Sequence, residues 1–274
     1  MPTAADPQLF RGMLDDAAIF PPGLKPLEQA VPAHRNHRRS KYRELVGPLV
    51  LTSAALDELP RLTRGYADGS VEVSVTGVEV TRAPEVAEIC FTLAAVRLAA
   101  FELLIGELAP GEVGRHVAEL AAVLPGVELF LEVPRTPDGG YSEEVLEALA
   151  GTPCRAKFRT GGVTADLYPS EQQLAAAIES AVRLGVPFKA TAGLHHALRN
   201  TDGDREQHGF ANLLWATAEA QRAGDVAGAL AERDGAVVTE RVAELDPGVR
   251  QAFRSFGTCS IDEPVEELRG LGLL

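Results

Sequence analysis

Apolar and polar positions along the chain switch between two periods, and this predicts alternating strands and helices. Short apolar runs with a period of two are typical of strands, and apolar positions three or four apart are typical of amphipathic helices. We predict eight strands, within residues 13–20, 45–51, 71–80, 100–105, 127–133, 155–162, 186–196 and 253–258. We predict helices over 27–41, 54–64, 83–87, 110–124, 142–149, 170–185, 210–223 and 264–271, with a broken helical stretch over 224–252. Residues 89–96 fit either a strand or a turn of helix, and 200–207 is predicted as a polar loop.

This alternation determines the expected fold class. Eight strands separated by helices favour a closed parallel barrel over an open sheet. No GxGxxG or GxxxxGK[ST] motif supports a nucleotide-binding alternative. We therefore predict an α/β protein, a single (β/α)₈ TIM barrel with parallel strands, and one domain over residues 1–274.

The segment from Cys154 to His196 is the most informative part of the chain. It contains the sixth and seventh predicted strands, joined by a helix that begins with a capping box, Ser170-Glu-Gln-Gln173. Each strand carries a lysine, Lys157 or Lys189, inside a short apolar run. A lysine that points into a barrel is costly unless it has a partner or a chemical role.

Composition restricts the compartment and the partners that we expect. The net charge of −13 argues against nucleic acid or an anionic membrane surface as a partner. The three cysteines have neither CxxC spacing nor an even count, so we expect a reducing compartment without a disulfide or zinc framework. No signal sequence or apolar run of about 18 residues is visible. We expect a soluble cytoplasmic protein.

Catalytic groups of such barrels lie at the carboxyl ends of the strands. The residues in that position that carry useful chemistry are Asp15, Asp16, Glu102, Glu132, Lys157, Lys189, Cys259 and Ser260. A lysine in a poorly solvated pocket beside another ammonium has a lowered pKa, because both conditions disfavour the charged form. Such an amine can form a Schiff base with a carbonyl substrate, while carboxylates move protons. Alternatively, each lysine pairs with a carboxylate such as Glu132 and only ties strands together.

Five short motifs, in the same order along the chain, resemble those of deoxyribose-phosphate aldolase, a class I aldolase with a (β/α)₈ barrel. They are Leu14-Asp15-Asp16-Ala-Ala-Ile-Phe-Pro21, Leu129-Phe-Leu-Glu132, Lys157-Phe-Arg-Thr160-Gly161, Phe188-Lys189-Ala190-Thr191-Ala192-Gly193 and Phe256-Gly257-Thr258-Cys259-Ser260. Together they span most of the chain, although each is short.

The resemblance implies a role for each matched residue. Lys157 would be the Schiff-base lysine, and Lys189 the neighbouring cation that keeps its amine uncharged. Glu102 would be the proton-shuttle carboxylate, assisted by Asp15. Substrate-binding residues would come from Asp16, Glu132, Arg159, Thr160, Gly161, Gly193, Cys259 and Ser260. Independently of the resemblance, one of His195 and His196 is expected to bind substrate or transfer a proton, because both lie just beyond the carboxyl end of a strand. No cofactor is needed for a covalent lysine mechanism, and we expect a small carbonyl or sugar-derived substrate.

The chain also departs from the family pattern. Arg159 takes a serine position, Ala192 a glycine position and His195 an arginine position. Cys259 replaces a phosphate-contacting serine, although Gly193, Ser260 and Arg159 offer donors for an anion. These differences indicate a divergent relative that acts on another carbonyl compound.

Two other functions are compatible with the sequence. A metal-dependent hydrolase or isomerase would use a divalent ion held by His195, His196 or His208 together with a carboxylate. A non-catalytic barrel would bind a metabolite in the same pocket. Cys259 has no base near it in sequence and is interpreted as a small packed residue. A homodimer is expected only because many barrels of this kind dimerise.

Overall fold

Eight parallel strands close into a barrel in a computed structural model of the protein, which describes residues 5–203 and 205–274. The barrel strands are β1 (Leu14–Asp16), β2 (Val46–Thr52), β3 (Val71–Glu79), β4 (Val96–Leu104), β5 (Glu128–Glu132), β6 (Arg155–Arg159), β7 (Phe188–Thr191) and β10 (Phe253–Thr258). Neighbours in sequence are neighbours in the barrel, and β1 closes it by pairing with both β2 and β10. The predicted fold class, an α/β (β/α)₈ TIM barrel, is confirmed.

Helices surround the barrel and bury their apolar faces against its outer surface. They are α1 (Leu27–His37), α2 (Leu59–Leu62), α3 (Ala83–Thr92), α4 (Pro110–Val123), α5 (Glu143–Leu149), α6 (Glu171–Arg183), α7 (Phe210–Gln221), α8 (Val226–Ala231), α9 (Gly235–Ala243) and α10 (Asp262–Gly270). None of the helices in the described part of the chain combines the length and the apolar character needed to traverse a lipid bilayer.

Several segments differ from the sequence prediction. Strand β1 ends at Asp16, and the helix predicted over 54–64 is a 3-10 helix (Ser53–Glu58) followed by the short α2. Helix α3 continues to Thr92 and strand β4 already begins at Val96, four residues earlier than predicted. The start of β4 is set by its pairing with β3, where Val96 lies opposite Val71, and local periodicity carries no information on such a contact. The predicted loop 200–207 is an antiparallel hairpin of β8 (Asn200–Asp202) and β9 (Arg205–Gln207). Its two strands contain only polar residues, so they have no apolar face and lack the usual strand signal.

Side chains along β6 and β7 alternate between the barrel interior, where the lysines lie, and the outer layer, where aromatic rings pack. Lys157 and Lys189 lie directly opposite each other in the pairing of the two strands and point into the barrel. The adjacent Phe158 and Phe188 point to the other side, where their ring centroids are 5.3 Å apart. Phe253 of β10 extends this row by stacking on Phe188. The aromatic row between sheet and helices therefore fixes the strands that carry both lysines.

The predicted capping box at the start of α6 is present. The Ser170 hydroxyl accepts a hydrogen bond from the backbone N–H of Gln173 at 3.2 Å. The Gln173 side-chain oxygen accepts one from the backbone N–H of Ser170 at 2.9 Å. Two backbone donors that the helix leaves free are thus satisfied in the connection between the two lysine-bearing strands.

Replacement of this cap gives a test of the local argument. Ser170→Ala removes the acceptor for a helix N-terminal donor and should lower the free energy of unfolding by about 1 kcal/mol. Urea denaturation followed by circular dichroism measures the change. Ser170→Asp retains a capping oxygen and should stay close to the wild type; equal losses in both variants would contradict a capping role.

Candidate active site

Two lysines and three carboxylates form a buried cluster inside the barrel. The ammonium of Lys189 donates to the carboxylates of Asp15 at 2.5 Å and Glu102 at 2.6 Å. It also lies 5.2 Å from the centroid of the Phe130 ring, a favourable position for a cation. Its side chain is only 1% exposed. Lys189 is therefore enclosed and fully compensated by charge.

Lys157 shares one of these carboxylates. Its ammonium lies 2.9 Å from the second oxygen of Glu102 and 3.0 Å from Glu132. It donates a third hydrogen bond to the Thr76 hydroxyl at 3.2 Å. Glu102 thus bridges the two ammonium groups with one oxygen each, which places both lysines in the barrel interior and close together.

The ionisation of the cluster follows from burial and from these pairs. Burial by itself raises the pKa of Glu102, but Lys189 and Lys157 outweigh burial and hold that pKa well below its usual range. Burial likewise disfavours the charged form of Lys189, yet Asp15 and Glu102 raise its pKa above the ordinary value. For Asp15 burial prevails over the attraction of Lys189, so its pKa is raised.

The backbone leaves room for this cluster on strand β2. A Cβ atom added to Gly47 would lie 2.2 Å from a carboxylate oxygen of Asp15. Any side chain at this position would displace Asp15 from Lys189. The short β1 strand can therefore present a carboxylate to the barrel axis because its neighbour carries a glycine.

A cavity of about 380 Å³ opens above the cluster at the carboxyl end of the barrel. Glu102 and Lys157 form part of its floor, whereas Lys189 does not line it. Loops after β1, β6, β7 and β10 provide its walls, and the β8–β9 hairpin adds Asp202, Arg205 and Gln207. Lys157 is consequently the lysine that faces this cavity, whereas Lys189 lines a separate cavity of about 200 Å³ together with Asp15 and Ser255.

Several predicted binding residues do line this cavity: Arg159, Gly193, His195 and Cys259. Ala192 also lines it and has a φ of 66°, in the left-handed region that an alanine rarely adopts. Backbone strain of this kind is typical of binding and catalytic loops.

Thr160 and Gly161 shape the cavity from behind. The Thr160 hydroxyl is buried and donates to the carbonyl of Ala192 at 2.7 Å. A Cβ on Gly161 would lie 2.8 Å from the Cα of Gly193, so the loops after β6 and β7 touch through their backbones. These residues position the rim of the cavity.

Three predicted binding residues lie away from the cavity. Asp16 points to the helical layer, because it follows Asp15 on a strand, and contacts Nδ1 of His34 at 3.0 Å. His196 is exposed and contacts Glu267 at 2.6 Å, since it points opposite to His195. Ser260 accepts a hydrogen bond from the backbone of Glu263 at the start of α10. The structure does not support substrate contact by these three residues.

His208, the third histidine of the metal-dependent alternative, is buried outside the cavity. Its Nε2 donates to the carbonyl of Pro169 at 2.9 Å, and Nδ1 accepts from Arg199 at 3.2 Å. Burial lowers the pKa of His208 to about 4, so the imidazole is neutral near pH 7. Within the described residues, no three His, Cys, Asp or Glu side chains form a group that could hold a metal ion.

Some residues of the site were not identified from the sequence. Thr76 contacts Lys157, Ser74 donates to Glu102 at 3.3 Å, and Ser255 donates to Asp15 at 2.7 Å. The alternation Val73-Ser74-Val75-Thr76 is a usable signal, because polar residues two apart on a barrel strand face the same side. Arg205 and Gln207 have no such signal, because the polar stretch 200–207 shows no strand period that would indicate which of its side chains face the cavity.

Comparison with known proteins adds little to this geometry. No family model matches the chain, and no curated protein matches it. Among solved structures, the chain is similar to "PhdJ bound to substrate intermediate", with 12% identity and a TM-score of 0.43. That similarity covers 81% of this chain and 67% of the other. It says nothing about the chemistry of the site.

The enclosed ion pair gives a prediction about stability. Lys189→Met leaves Asp15 buried without its counter-charge and should lower the free energy of unfolding by about 3–5 kcal/mol. The double variant Asp15→Asn/Lys189→Met removes both members of the pair and should lose less than the single variant. Urea unfolding of Lys189→Met, of Asp15→Asn and of the double variant measures the coupling between the two residues. Strictly additive losses of unfolding free energy would refute it.

His208 gives a prediction about pH. The unfolded histidine takes up a proton near its ordinary pKa of 6.5, but the folded one only near 4. The unfolded state therefore binds more protons in this window, and stability falls as the pH drops from about 6.5 to 4. The contribution of His208 to this loss is about 3 kcal/mol.

His208→Gln keeps a donor and an acceptor but does not titrate. Its unfolding free energy should therefore fall less than that of the wild type over the same pH range. Parallel curves for the two proteins, measured by urea denaturation at several pH values, would contradict the assignment.

Proposed function

We propose that this protein is a class I, Schiff-base-forming lyase of the aldolase type, with Lys157 as the nucleophile. The observation that carries the proposal is the asymmetry of the lysine pair. Lys157 forms part of the floor of the cavity of about 380 Å³ at the carboxyl end of the barrel, while Lys189 lines only the smaller cavity of about 200 Å³. Ion pairs alone would also suit a structural role, but a structural role needs no cavity of this size above Lys157 at the end of the barrel where active sites lie.

The first step of the proposed reaction is capture of a carbonyl compound. The ammonium of Lys157 gives up a proton, and its lone pair attacks the carbonyl carbon to form a carbinolamine. Loss of the carbinolamine hydroxyl as water then leaves an iminium ion. Glu132 is suited to accept the first proton, because it lies 3.0 Å from the amine, is 22% exposed and pairs with no other lysine.

The second step uses the iminium as an electron sink. Loss of a proton from the β-hydroxyl allows the Cα–Cβ bond to break, so that a carbonyl product departs and an enamine remains on Lys157. Protonation of the enamine carbon and hydrolysis of the iminium return the free amine. Glu102 stays paired with both lysines during these steps. Its low pKa makes it a poor proton carrier in the resting cluster.

The resemblance to deoxyribose-phosphate aldolase supports this proposal at the positions that the structure brings together. Asp15, Lys157 and Lys189 are matched residues, and Glu102, where the family carries an aspartate, joins them in one connected cluster. Lys189, however, is neutralised by Asp15 and Glu102 and does not face Lys157 as a bare cation. The substrate is proposed to be a small carbonyl or sugar-derived compound, because the cavity has a volume of only about 380 Å³.

Trapping with borohydride tests the covalent step. Incubation with acetaldehyde, dihydroxyacetone or pyruvate under borohydride should leave a stable secondary amine on Lys157, as located by peptide mass mapping. The chain has four lysines, Lys25, Lys41, Lys157 and Lys189, so assignment is unambiguous. Lys25 and Lys41 lie outside the cluster and serve as internal controls for non-specific modification.

Lys157→Met should lose the adduct, and Lys25→Met should keep it. A cavity-dependent adduct on Lys189 instead of Lys157 would overturn the assignment of the nucleophile. No adduct with any carbonyl probe, together with ordinary binding of one of them, would favour a non-catalytic metabolite-binding barrel. Activity that is lost with chelator and restored by a divalent ion would favour the hydrolase or isomerase alternative.

A further inference from the structure

A thiol and an imidazole meet on the wall of the cavity. The Cys259 sulfur lies 3.4 Å from Nδ1 of His195, within hydrogen-bonding distance for sulfur. Cys259 follows strand β10 and His195 follows β7, two strands that are neighbours in the barrel. Both side chains line the same cavity as Lys157. The fold therefore places a base, His195, beside Cys259, although the two residues are 64 positions apart in the chain.

We propose that Cys259 and His195 form a second nucleophile of this cavity, a thiol activated by an imidazole general base, which adds reversibly to small aldehydes. The choice of an aldehyde as the electrophile rests on the proposed function. The activation of the thiol by His195 is independent of the proposed function, because the contact between Cys259 and His195 does not involve Lys157.

The ionisation of the pair fits general-base activation. Burial and, secondarily, Glu263 and Asp16 raise the pKa of the Cys259 thiol above its ordinary value. Burial lowers the pKa of His195, against the opposing influence of Glu263 and Asp202. Near neutral pH the pair is therefore a thiol that donates its S–H to a neutral imidazole, with no ion pair in the resting state.

The addition is balanced without any further reactant. The sulfur attacks the carbonyl carbon, and the thiol proton passes to Nδ1 of His195 as the C–S bond forms. The electrons of the carbonyl π bond move to oxygen, which then takes the proton from the imidazolium. The product is a hemithioacetal, and the reverse sequence releases the aldehyde.

The three cysteines differ in accessibility, which makes the thiol easy to follow. Cys259 is partly exposed, whereas Cys90 and Cys154 are buried. Burial raises the pKa of Cys90 to about 11 and that of Cys154 to about 12. Alkylation of the folded protein should therefore be confined to Cys259, and labelling of the other two reports loss of the fold.

Iodoacetamide alkylation of the full chain at neutral pH, quantified by peptide mapping, tests the activated thiol. His195→Gln should slow labelling of Cys259 by about a hundredfold, the lower end of what a positioned general base typically contributes. His116→Gln, at a half-buried position of α4 outside the cavity, is the matched control and should leave the rate unchanged. Equal rates in the wild type and His195→Gln, with Cys90 and Cys154 unlabelled in both, would overturn the proposal.

Acetaldehyde protection tests the choice of electrophile. In Lys157→Met, which lacks the proposed Schiff-base amine, acetaldehyde should slow the alkylation of Cys259 in a saturable manner. Absence of protection would refute the aldehyde as the ligand of the thiol. Borohydride does not reduce a hemithioacetal to a stable adduct. The protection experiment on Cys259 and the trapping experiment on Lys157 are therefore independent tests.

Discussion

The interior of this barrel depends on one carboxylate that holds two ammonium groups. Glu102 gives one oxygen to Lys157 and the other to Lys189, and its side chain is 3% exposed. Each of these charges would be very costly to bury alone, and the arrangement is tolerable only because every one has a partner at hydrogen-bonding distance. Strands β1, β4, β5, β6 and β7 must therefore keep their register, since a shift of one residue would turn a charged side chain into the apolar layer.

This shared carboxylate also separates the roles of the two lysines. Lys189 is compensated from two sides and cut off from the cavity, so it acts on its surroundings mainly through the position of Glu102. Lys157 has acceptors on one side and open space on the other. The two chemically identical groups thus differ in which cavity they face, and the proposed nucleophile is the one that faces the larger cavity. The simple expectation that one cation acts directly on the other is replaced by a network in which carboxylates lie between them.

Much of the architecture and part of the site can be predicted from the sequence. The features that cannot be predicted are those that depend on contacts between distant parts of the chain. The strand and helix periods indicate the barrel, and the lysines in apolar strands indicate its chemical centre. The motif match offers Asp16 as a binding residue, but Asp16 contacts His34 in the helical layer, because adjacent strand residues face opposite sides. The start of β4 at Val96 depends on pairing with β3, and the Cys259–His195 contact depends on barrel closure. Such contacts are created by the fold and leave no local trace in the chain.

The backbone contact between Gly161 and Gly193 has a consequence for how this cavity can diversify. Two loops that touch without intervening side chains cannot change independently, so this part of the rim is the same for any molecule that enters. The β8–β9 hairpin contributes side chains instead of backbone, and two of them are also constrained: Arg205 donates to the carbonyl of Val163 at 3.3 Å, and Gln207 is buried. Asp202 lines the cavity and is exposed, so a new selectivity is most readily gained at this hairpin position, where an exchange leaves the lysine cluster in place.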